Sequence, residues 1–127
     1  AKAQGWDLKG LELEMTDCWM NIMPRGASHS LHLHPHSIIS GAYYLTAPKG
    51  CSTFRIEDPR MAFYMNAPLR SKAGPKDGLY YSIPAKEGSF VLFESWLRHE
   101  VQPNRSVAPR ISLSFNFSAE STDPDLR

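Results

Sequence analysis

The chain has 127 residues, 42% hydrophobic and 21% charged, which suits one folded domain around one modest core and argues against disorder. Fourteen Lys and Arg against thirteen Asp and Glu leave a net charge of +1; the basic residues are scattered, so neither nucleic acid nor a membrane surface is indicated as a partner. No stretch approaches the ~20 apolar residues of a membrane-spanning helix.

Pro and Gly punctuate short runs of aromatic and β-branched residues, a pattern of antiparallel β-structure in a sandwich or barrel. A first strand is expected over Leu11 to Met23, with a break near Asp17. Ser28 to His34 and Ser37 to Thr46 follow. The turn Ala47-Pro48-Lys49-Gly50 precedes a strand from Thr53 to Glu57; Pro48 suits an early turn position and Gly50 a positive φ. Arg60 to Asp77 reads as a long loop able to carry a helical turn or a lid. Leu79 to Ile83, Ser89 to Phe93, His99 to Gln102 and Arg110 to Phe117 complete about eight strands. In the last, Ile111, Leu113, Phe115 and Phe117 alternate with Arg110, Ser112, Ser114 and Asn116, so one face is apolar and the other polar.

Cys18 and Cys51 are too few for a disulfide framework and are expected to be free, buried, small apolar side chains. That usage, with no signal peptide at the N-terminus, gives a cytoplasmic localisation as the expectation. The chain starts Ala1-Lys2 rather than with Met. The expected organisation is one domain over residues 1–127, with an N-terminal segment beyond it left open. A homodimer is also left open.

His32, His34 and His36 stand at i, i+2 and i+4 in Ser30-Leu-His-Leu-His-Pro-His-Ser37. On a strand those positions share a face, and their imidazoles can converge on one ion. Pro35 cannot donate to a ladder, so the strand should end there, leaving His32 and His34 as the regular pair and His36 in the turn beyond. His36 in place of His32 stays an alternative. His29, at odd spacing, is expected to face the other way. A fourth imidazole, His99, follows the apolar run Phe90 to Phe93. The expected metal ligands, and so the catalytic residues, are His32, His34 and His99 holding one divalent ion, Fe(II) first. Arg110 offers a planar fork that grips a carboxylate, and Ser112, on the same strand face, can add a hydroxyl donor. Trp19, Trp96 and the loop Arg60 to Asp77 are candidates to shape a pocket, although core packing is the expected role for both tryptophans.

These residues together resemble the 2-oxoglutarate/Fe(II)-dependent oxygenases of the prolyl-hydroxylase type, and within them a His-x-His-Pro branch. The motifs that carry the resemblance are Trp19-Met-Asn21, Gly26, His32-Leu-His34-Pro35, Ser40-Gly-Ala-Tyr-Tyr44, Asp58-Pro-Arg60, Ser95-Trp-Leu-Arg-His99 and Arg110-Ile-Ser112. The set runs from about Trp19 to Phe117 and is specific as a set, while each piece alone is weak. It implies an all-β double-stranded β-helix, a jelly roll or cupin-like barrel, with metal at one open end and the polar face of the last strand inward. It implies 2-oxoglutarate as co-substrate, bound to Fe(II) through its 1-carboxylate and 2-oxo oxygens, with its far carboxylate on Arg110 and Ser112 and a further contact from Tyr44. Dioxygen would be the second co-substrate, succinate a product, and an unidentified small molecule or peptide the hydroxylated substrate.

One departure stands out. The usual triad is His-x-Asp/Glu with a distal His; here His34 takes the carboxylate position. Cupins use three histidines on the same fold but normally add a Glu a few residues on, where this chain has Ser37, Ile38 and Ile39. A cupin-type metalloenzyme without 2-oxoglutarate is therefore one alternative. A non-catalytic metal- or carboxylate-binding module is the other.

Overall fold

The structure is a computed structural model, and it describes residues 5–66, 68, 72, 74, 77–123 and 125. Eight strands and one short helix follow in the order β1 (Leu11–Met23), β2 (His29–His32), β3 (Ile39–Thr46), β4 (Thr53–Glu57), α1 (Met61–Asn66), β5 (Tyr80–Pro84), β6 (Phe90–Glu94), β7 (His99–Val101) and β8 (Arg110–Ser121). They form two four-stranded antiparallel sheets, ordered β1-β8-β3-β6 and β2-β7-β4-β5. This is the all-β jelly roll that the sequence leads one to expect. The core between the sheets holds Met23, Tyr44, Phe54, Val91, Phe93 and Val101.

The predicted strands all form, with ends shifted by a few residues. The largest difference is at β8, which runs on to Ser121 because β1 pairs with it along its whole length. The expected break near Asp17 is a β-bulge: the pairing slips between Met15 and Asp17 and leaves Thr16 as the extra residue. A bulge reverses which residues face inward. Leu11, Leu13 and Met15 before it, and Cys18, Met20 and Ile22 after it, therefore share the outer face. Asp17, Trp19, Asn21 and Met23 turn toward the other sheet.

The alternation of β8 is inverted relative to a soluble sandwich. Its polar members Arg110, Ser112 and Asn116 are buried, at 3%, 1% and 7% exposure, while Ile111, Leu113, Phe115 and Phe117 lie outward. Gly41, paired with Phe115 on one side and Leu92 on the other, has no space for a side chain. A Cβ there would meet the Phe115 ring at 2.5 Å and Leu92 at 2.8 Å. Only glycine leaves room there for the Phe115 ring and the Leu92 side chain.

Cys18 and Cys51 are both free, as expected, but the expectation of burial fails: Cys18 is exposed and Cys51 only half-buried. Cys18 sits on the outer face of an edge strand, where nothing described covers it. Trp96 also departs from the core role. It is 53% exposed in the turn after β6, and its indole N–H donates to Glu94 at 2.6 Å. Part of the expected loop Arg60 to Asp77 is the helix α1, beside which Tyr64 Oη donates to Asp58 at 3.0 Å. Residues 67, 69–71, 73, 75 and 76 of that loop lie outside the described residues. No described helix is long and apolar enough to cross a membrane.

Candidate active site

His32 and His99 face each other as a directly paired couple across β2 and β7. His34 lies two residues past the end of β2, where its backbone N–H donates to the Ser95 carbonyl at 3.1 Å. That bond holds the segment beside the barrel although the ladder stops at His32, earlier than Pro35 alone predicts. The three ring centroids are 4.3 Å (His32 to His99), 4.9 Å (His34 to His99) and 5.2 Å (His32 to His34) apart. One ring nitrogen from each lies within 4.8 Å of the others. His36 is outside this group. It occupies a turn with φ 67°, and its carbonyl accepts a bond from Ser118 Oγ at 2.8 Å.

The hydrogen bonds around the rings decide which nitrogen each offers. His32 Nδ1 meets the Ser30 carbonyl at 2.6 Å, and His99 Nδ1 meets the Leu97 carbonyl at 2.9 Å. A carbonyl only accepts, so each Nδ1 carries the proton and each Nε2 keeps a free lone pair. His34 Nδ1 lies 2.7 Å from Asn116 Oδ1 and 2.8 Å from Ser40 Oγ. Phe93 and Phe54 form an apolar wall, their ring centroids 4.5 Å and 5.4 Å from that of His99. Burial pushes His99 down to about 4, the Leu97 hydrogen bond opposing and the neighbouring imidazoles adding. Burial also lowers His34, against the raising effect of its bond to Asn116. Neutral imidazole is the metal-binding form.

Further into the barrel lies a second polar group. Tyr44 is paired with Ser112 across β3 and β8, and Arg110 stands two residues along on the same face. The Arg110 guanidinium carbon is 5.3 Å from the centre of the Tyr44 ring. Tyr44 Oη, Ser112 Oγ, and Nε and Nη1 of Arg110 are all buried without a hydrogen-bond partner. Burial raises the Tyr44 phenol and lowers the Arg110 guanidinium, each by disfavouring the charged form.

Arg110 and Tyr44 line one cavity with the three histidines, and so do Trp19, Asn21, His29 and Ser114. Sequence reasoning missed several of these. His29 was expected to point away, but the β2–β7 pairing slips between His29 and His32, which brings its ring centroid to 6.4 Å from that of His32. Strict alternation carries no signal for such a slip. Trp19, expected in the core, is 38% exposed and stands edge-on to His34 at 6.1 Å. The bulge at Thr16, which sets the parity of β1, puts it there.

Residues 17–116 match the protein family described as "Putative 2OG-Fe(II) oxygenase". The chain belongs to this family. The family's description names Fe(II) and 2-oxoglutarate (2OG). Among solved structures, the fold is similar to an oxidoreductase of the 2OG-Fe(II) oxygenase family from Burkholderia pseudomallei (TM-score 0.63, 19% identity, 84% of this chain, 45% of that one). It is also similar to a prolyl-4-hydroxylase from Pseudomonas putida (TM-score 0.60, 24% identity, 86% and 54%) and to AviO1 from Streptomyces viridochromogenes (TM-score 0.61, 14% identity, 91% and 53%). The chain spans about half the length of these structures. No curated protein is significantly similar to it.

Proposed function

We propose that this chain is the catalytic β-barrel of an Fe(II)/2-oxoglutarate-dependent dioxygenase, with the ion on His32, His34 and His99. The observation that carries the reading is Arg110: a buried guanidinium with Nε and Nη1 unpartnered, beside two more orphaned donors, Tyr44 Oη and Ser112 Oγ. Burying a cation without a counter-charge is costly, so the barrel favours an anion at this place. A carboxylate fits the donor set. It accepts two parallel bonds from a guanidinium and keeps lone pairs for the two hydroxyls. One small dicarboxylate spanning from the histidines to Arg110 answers both halves of the cavity.

The histidine group fits a divalent ion. All three rings sit with Nδ1 occupied, and the donors are neutral, so an ion held there keeps its full charge of +2, against +1 with the usual carboxylate ligand. With one carboxylate of 2-oxoglutarate at the ion and the other on Arg110, the filled site would carry one positive charge more than the usual triad. The bound ion supplies the redox chemistry of dioxygen activation. The protein's own residues do the rest. Arg110, Ser112 and Tyr44 orient the co-substrate, and Phe54 and Phe93 keep water from its metal-facing end. Trp19 borders the mouth through which a substrate C–H bond would approach. The overall reaction is 2-oxoglutarate, dioxygen and R–H giving succinate, carbon dioxide and R–OH.

Protein loaded with Fe(II) and exposed to dioxygen should convert 2-oxoglutarate to succinate one for one. Substitution of His99 should stop it. Dioxygen uptake with 2-oxoglutarate left intact would instead indicate a cupin-type oxygenase on the same histidines. Metal binding with neither activity would indicate the non-catalytic module.

A further inference from the structure

Two of the three histidines have their tautomer fixed next door, by a carbonyl that can only accept. His34 does not. Its Nδ1 faces a hydroxyl, Ser40 Oγ, and an amide, Asn116, and each of these can donate as well as accept. Ser40 is no firmer, since its Oγ lies 2.7 Å from another hydroxyl, Ser95 Oγ. The group that breaks the symmetry stands one residue further out. Asn116 Nδ2 donates to Asp17 Oδ2 at 3.2 Å, and a carboxylate only accepts. The amide nitrogen must therefore face Asp17 and the amide oxygen must face His34. That oxygen also takes the Ser40 hydroxyl proton at 2.8 Å. An oxygen that only accepts then requires the proton on His34 Nδ1 and leaves Nε2 with its lone pair.

We propose that Asp17, acting through Asn116, is a positioning residue that locks His34 in the Nδ1–H tautomer and so presents Nε2 to the metal. The inference rests on His34 being a ligand, the reading given above. It also gives the β-bulge a role. Asp17 is paired with Asn116 in register and faces inward only because the strand slips at Thr16; on an unbroken strand Thr16 would face Asn116 and Asp17 would face solvent. In this chain the carboxylate absent from the ligand set stands one amide behind the imidazole that replaces it.

The test is ¹⁵N NMR of the histidine rings in metal-free protein above the range where imidazoles protonate, together with zinc titration of the same samples. In the wild type, His32, His34 and His99 should all show Nδ1–H. Asp17→Asn is isosteric and lies on an exposed edge strand, so the fold should survive. In that variant His34 alone should shift toward Nε2–H, with zinc affinity reduced about 10-fold, as for other partners lying behind a metal ligand. The reciprocal double variant Asp17→Asn/Asn116→Asp puts an accept-only group directly on His34 and should restore Nδ1–H. A mere packing role for Asp17 would leave the His34 tautomer unchanged in Asp17→Asn. His34 remaining Nδ1–H in Asp17→Asn, or carrying Nε2–H in the wild type, overturns the proposal. Wild-type protein with the proposed tautomers that binds no zinc leaves the lock standing and removes the ligand reading instead.

Discussion

Replacing His99 by Ala is expected to abolish stoichiometric binding of Fe(II) or Zn(II), as measured by metal analysis after gel filtration. The reason is geometric. His99 is paired directly with His32, and its ring centroid lies nearest the other two of the group, at 4.3 and 4.9 Å. Losing it leaves two neutral nitrogens and no charged ligand. The loss should exceed the roughly 10–100-fold typical of removing an outer partner of a ligand. His32→Ala and His34→Ala should behave alike. His36→Ala should retain the ion, because His36 lies in the turn outside the group. Circular dichroism of all four variants should stay that of a β protein, since eight strands around Phe54, Phe93 and Val101 bury a core of their own. Full metal content in the His99→Ala protein would rule out this ligand set.

Arg110→Ala should weaken 2-oxoglutarate severely while leaving the metal in place. A desolvated carboxylate that loses a bidentate, charge-assisted partner forfeits about 2–5 kcal/mol, which is roughly 30-fold to several thousand-fold in affinity. Arg110→Lys should recover only part, because an ammonium cannot reproduce the planar fork. Ser112→Ala removes one neutral hydrogen bond and should cost about 1 kcal/mol. The ordering Ala well below Lys below wild type at position 110, with Ser112→Ala near wild type, is the signature to look for in calorimetric titrations. Equal affinities across the series would place the anion elsewhere.

The sequence was most legible where chemistry and local geometry coincide. Alternation on β8 gave both its faces, and the i, i+2 spacings gave His32 with His34 and Arg110 with Ser112; His32, His34 and Arg110 line one cavity, and Ser112 is buried on the same strand face as Arg110. It was least legible where a ladder slips. The bulge at Thr16 and the shift between His29 and His32 each move a residue to the opposite face, and both arise from pairing with a distant strand. Trp19, His29 and Asp17 all owe their positions to such slips, so period-two reasoning could not place them. Asn116 was read as one of four polar residues on a face. Its contact with His34 depends on a segment 82 residues earlier in the chain, which no local pattern encodes. Trp96 failed as a core residue for a different reason: it lies in the turn after β6, 53% exposed, outside both sheets.

The central claim is that one cavity holds a metal ion and 2-oxoglutarate together, and titrating 2-oxoglutarate without oxygen tests it most directly. The titration is run into Mn(II)- or Fe(II)-loaded wild-type protein and into the metal-free form. The account predicts one equivalent bound to the loaded protein and much weaker binding to the metal-free protein, since only Arg110 and its neighbours then hold the ligand. No binding to correctly metallated protein, or binding equally tight with and without the ion, would contradict it.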